Sequence, residues 1–105
     1  MRAWQIVLAA HLMGGAALAE TPGDPVAGRL LAGAQCSSCH AIGSGHPAPP
    51  LPAASSFAEV ARLPSTTALS LQVLLRTPHA DMPDIVLTPA QMDDLIAYIL
   101  SLRDG

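Results

Sequence analysis

The sequence predicts an all-α domain of about four short helices, and three observations carry that prediction. Apolar residues recur at helical spacing in separate segments, each opened by a capping or proline-start signal. No stretch alternates apolar and polar residues as a half-buried strand would, and no internal repeat is visible. Prolines and glycines cluster between the helical segments.

Ahead of the first helix lies a segment of another kind. Arg2 gives a basic start, residues 6–17 are an apolar run, and Ala17-Leu18-Ala19 has the small-residue form of a processing site. Residues 1–19 are therefore expected to be a secretory signal and residues 20–105 the domain. An uncleaved anchor is the alternative, but the run is shorter than the ~20 residues that cross a bilayer and it contains His11.

The first helix is announced by Asp24-Pro25, a cap followed by proline at the first helical position. Val26, Leu30 and Ala34 form a stripe along it with Leu31 beside them, and it should run almost to Cys36. Four prolines and two glycines between positions 42 and 52 then exclude regular structure. Ser56-x-x-Glu59 has capping-box form and opens a short helix carrying Phe57, Val60, Ala61 and Leu63, which Pro64 stops. Ser65 or Thr66 can cap the third helix, with Leu69, Val73 and Leu74 on one side, widened by Leu71 and Leu75; Pro78 ends it near Thr77. After a turn-rich stretch over residues 78–87, Thr88 caps the last helix, with Pro89 first and Gln91 completing the box. Met92, Leu95, Ile96, Ile99 and Leu100 form its apolar face.

Composition narrows the function. The chain of 105 residues carries a formal charge of −3 and no lysine, and loss of Arg2 with the leader makes it one unit more acidic. Such a chain has no electrostatic means of holding nucleic acid or an anionic membrane. Beyond the leader only Phe57 and Tyr98 are aromatic, a thin supply of large core side chains for so small a domain. A buried flat cofactor would fill that deficit.

Cys36-Ser37-Ser38-Cys39-His40 is the C-x-x-C-H haem-attachment pattern. Two thiols three positions apart on one turn can reach the two vinyl groups of a porphyrin, and the next imidazole then sits under the iron. A disulfide would close too small a loop to constrain much, a thioredoxin-like centre needs a βαβ context, and zinc would need a fourth ligand. For the second axial position the candidates are Met82, His46 and His79. Met92 belongs instead to the stripe of the last helix, whereas Met82 stands alone in a polar, proline-braced loop. Methionine ligation raises the reduction potential relative to bis-histidine.

With these residues assembled, the chain resembles the class I c-type cytochromes, small bacterial monohaem members in particular. The match rests on the Cys36–His40 motif, on Met82 ahead of the last helix, and on Asp94-Leu95-Ile96-Ala97-Tyr98-Ile99 within it. The resemblance implies a small cytochrome c fold wrapped around one covalent haem c, with His40 and Met82 on the iron. It further implies that Gly28 lets the first helix cross the last near Tyr98, where Ala32 replaces an aromatic of other members. Pro49, in Pro49-Pro50-Leu51, matches the proline whose carbonyl accepts a hydrogen bond from the proximal imidazole. Arg62 and Arg76 could pair with the haem propionates, or be solvated surface charge.

The function so implied is a one-electron carrier between redox proteins in the periplasm, monomeric and not an enzyme. The alternatives are a haem peroxidase or gas sensor in which Met82 dissociates, and the haem subunit of a larger dehydrogenase. The lysine ring through which some members dock has no counterpart here.

Overall fold

A computed structural model describes residues 21–45, 47–77 and 81–104. The expected leader and the two loop histidines, His46 and His79, lie outside the described residues. Among those described there are four α-helices and no strand: α1 (Pro25–Gln35), α2 (Phe57–Arg62), α3 (Ala68–Arg76) and α4 (Pro89–Ser101), followed by a 3₁₀ turn at Leu102–Asp104.

Each helix begins where local chemistry satisfies its first free N–H groups. The Asp24 carboxylate accepts from the Val26 N–H at 2.9 Å, Ser56 accepts from Glu59 at 3.2 Å, and Thr88 forms the reciprocal box with Gln91. The cap of α3 differs from the expectation of Ser65 or Thr66, for it is Thr67. Its hydroxyl accepts from the Ser70 N–H at 3.0 Å, and the Ser70 hydroxyl returns the bond to the Thr67 N–H at 2.8 Å. Thr66 is instead buried in the preceding turn, where its N–H donates to the Leu63 carbonyl at 3.0 Å.

The main contact of the fold is the crossing of α1 over α4. Gly28 sits in it. A Cβ there would stand 2.8 Å from Tyr98 Cβ and nearer still to the Asp94 carbonyl, so the helices meet at a distance that only hydrogen permits. Ala32, one turn on, is fully buried in the core. Two polar ties lock the crossing: the Asp24 N–H donates to the Asp94 carboxylate at 2.8 Å, and the Tyr98 hydroxyl donates to the Ile42 carbonyl at 2.6 Å. Gly23, with φ +102°, brings the chain in against the Asp93 carbonyl, where a Cβ would also collide.

The core is built on Met92, Leu95, Ile96, Tyr98 and Ile99 of α4, with Phe57, Ala61, Leu71 and Leu102 packed around them. Met92 is thus the core residue its spacing indicated. Two stripes fall differently. On α1 it is Gly28 and Ala32 that are buried, while Val26, Leu30 and Ala34 face outward. On α3 the inner residue is Leu71 with Leu75 half-buried, and Leu69, Val73 and Leu74 are exposed. In helices this rich in apolar residues, spacing does not fix which side faces in; the position of α4 does.

At the far end, the Arg103 guanidinium reaches back from the 3₁₀ turn. Its Nε donates to the Ala61 carbonyl at 2.9 Å and an Nη to the Thr66 carbonyl, tying the C-terminus to α2 and to the turn before α3. Among the described residues no helix is long and apolar enough to cross a membrane.

Candidate functional site

The Cys36–His40 motif follows directly from the end of α1. Cys36 is its C-cap, the Cys39 and His40 N–H groups both bond back to the Cys36 carbonyl at 3.2 and 2.9 Å, and this single turn carries both thiols and the imidazole. Both cysteines are free; Cys36 is buried and Cys39 half-buried. Burial pushes the Cys36 thiol above its ordinary range, which keeps it a neutral S–H.

Beside this turn opens a cavity of about 410 Å³. Cys36, Cys39, His40 and Met82 all line it; Leu31, Leu71, Leu75, Leu95 and Ile99 give it apolar walls from α1, α3 and α4. Phe57 also lines it, with its ring 5.4 Å from the His40 ring and tilted at 48°. The size and the mostly apolar lining with a few convergent polar atoms are those of a cofactor site. Two thiols, a nitrogen donor and a thioether are a donor set suited to a covalently attached haem.

The His40 imidazole is oriented by the main chain. Its Nδ1 lies 2.6 Å from the Ser55 carbonyl oxygen; a carbonyl only accepts, so Nδ1 carries the proton and the Nε2 lone pair is left for a metal. The resemblance pointed to Pro49 for this bond. In the structure the acceptor is Ser55, and Pro49 is no part of the cavity wall. The cause is the turn that follows Pro49. The Leu51 N–H bonds the Cys39 carbonyl at 3.0 Å and the Ala54 N–H bonds the Leu51 carbonyl at 2.9 Å, which brings residues 53–55 to the edge of the site. Nothing in the spacing of Ser55 marks it, because a main-chain acceptor leaves no signature in residue type.

Met82 is half-buried and follows Asp81, a non-glycine residue in the left-handed region at φ 61°. Asp is among the few side chains that adopt this conformation readily. Beyond it, Pro83, Ile85 and Leu87 line the cavity while Asp84 and Val86 face out, so residues 82–87 form an extended strap between α3 and α4. Neither Arg62 nor Arg76 lines the cavity. Arg62 Nη1 is 3.4 Å from the Ala58 carbonyl, and Arg76 is exposed at the end of α3. Among the described residues no three His, Cys, Asp or Glu side chains group as a metal-ion site.

An all-α domain with a C-x-x-C-H turn and a loop methionine lining the same apolar cavity defines a class of small haem proteins. Comparison with known proteins agrees: residues 25–103 match the family model described as Cytochrome c. The chain is also similar to Cytochrome c-552 of Bradyrhizobium diazoefficiens, 38% identical over 98 residues, which are 93% of this chain and 90% of the relative. No solved structure gives a match. The chain belongs to the cytochrome c family. It is a monohaem c-type cytochrome that carries electrons, rather than an enzyme, and its cofactor is covalent haem c.

Proposed function

We propose that Cys36 and Cys39 would hold the haem covalently, that His40 and Met82 would ligate its iron, and that the chain works as an exported one-electron carrier between redox proteins. The observation that carries this reading is the convergence of these four side chains on one apolar cavity. Haem supplies the one-electron Fe(III)/Fe(II) couple. The residues of the chain set its conditions. The Ser55 carbonyl holds the Nδ1 proton of His40 and so keeps Nε2 directed and basic. The apolar walls would disfavour the extra positive charge of an oxidised iron held there, and a thioether from Met82 would act in the same direction, toward a higher potential.

With His40 and Met82 both holding the iron, the chain would leave it no open site for a substrate, and a redox partner would dock on the surface outside the cavity. The charge pattern of residues 1–19 supports export, and cleavage after Ala19 would release residues 20–105 to the periplasm. A c-type haem is consistent with that compartment. Pro49 then serves as a stiffener of the loop that leads to Ser55.

Visible spectroscopy of the chain matured with haem tests the reading. The reduced protein should resist carbon monoxide, and the oxidised protein should show the weak far-red band of methionine-bound ferric haem. Rapid gas binding would favour the sensor or peroxidase alternative. A parent protein without that band, whose spectrum changes on replacing His79 or His46 and not Met82, would move the ligand to that histidine.

A further inference from the structure

We infer that the surface around the haem cavity docks a redox protein whose own contact face is basic around an apolar centre. This rests on the electron-carrier reading and specifies its partner. Two segments that wall the cavity carry apolar side chains on their outer sides. On α3, Leu69 and Val73, one turn apart, are 70% and 58% exposed, although the inner side of the same helix lines the cavity. In the strap, where Pro83, Ile85 and Leu87 line the cavity, the outward Val86 is 94% exposed. None of these three lines the cavity or joins the core.

Charge selects the occupant. Among the described residues Asp81, just ahead of the strap, is the one carboxylate on the cavity wall, Asp84 is exposed three residues further on, and no arginine lines the wall. The chain has no lysine. Arg103 is committed to the Ala61 and Thr66 carbonyls, and Arg76, closing α3, is outnumbered by Asp81 and Asp84. An acidic rim repels a second copy of itself and an anionic bilayer, and it attracts a cationic protein face. The exposed leucine and valines then add apolar contact to such an interface.

The test is stopped-flow electron exchange of the full haem-loaded protein with two probes of opposite contact charge, a lysine-rimmed cytochrome and an acidic-faced blue-copper protein. Salt is raised from low concentration until the Debye length falls to about 8 Å. The rate with the lysine-rimmed probe should fall on the order of tenfold, and that with the acidic probe should rise. Asp81→Asn with Asp84→Asn should flatten the first dependence by about half; Asn keeps the left-handed conformation at position 81. Asp104→Asn, on the 3₁₀ turn and off the cavity wall, is the control for net charge alone. Val73→Ser with Val86→Ser should slow exchange at every salt concentration. Equal flattening by Asp104→Asn, a faster reaction with the acidic probe, or no effect of the valine substitutions would each overturn the proposal, as would sedimentation showing a dimer that Val86→Ser dissolves. Failure of the parent protein to exchange electrons even with small inorganic couples would instead overturn the carrier reading itself.

Discussion

Gly28 shows how much one missing methyl decides. With the Asp94 carbonyl and Tyr98 Cβ inside contact distance of any Cβ, Gly28→Ala forces α1 away from α4. Its expected cost is about 1–3 kcal/mol of holoprotein stability, read as a lower denaturant midpoint. Met82→Ala tests the other end of the site: it should lower the reduction potential and remove the far-red band, and spectroelectrochemistry reads both. At this scale the sequence was legible wherever function resides in side-chain type. The Cys36-to-His40 run can be recognised from its letters because thiol and imidazole chemistry need those residues in that order. Ser55 could not be found that way, since it acts through its carbonyl, and any residue at the position would offer the same oxygen.

The helices divide between those set locally and those set by their neighbours. α4 begins at the Thr88 box and α1 at the Asp24 cap because a few adjacent residues close the hydrogen bonds unaided, so both starts could be read in advance. Thr88→Ala should accordingly cost about 1 kcal/mol, seen as a lower thermal midpoint. The orientation of α3 was not legible: apolar residues on nearly every side leave its burial to tertiary contacts, and Leu71 rather than Leu69 or Val73 turns inward. The 3₁₀ turn is likewise held by distant partners. Arg103→Met removes the bonds to the Ala61 and Thr66 carbonyls while keeping an apolar stem, and should destabilise by about 1–2 kcal/mol in equilibrium unfolding.

In the molecule as a whole, two buried aromatics and a set of aliphatic side chains surround a cavity of about 410 Å³, so the haem supplies much of the interior. The chain prepared without haem should show weak near-ultraviolet circular dichroism and no cooperative unfolding transition; a sharply melting apoprotein would contradict this. The α1–α4 crossing has a further consequence, for the order of events in time. It joins the first helix to the last across seventy residues, from Asp24 to Asp94. Closing so long a loop is slow, and its reward comes only when both ends are present. On a ribosome the Gly28 contact therefore has no partner until synthesis is almost complete. A nascent chain of this design gains its fold only at the end of synthesis, which is the order of events that the proposed export requires.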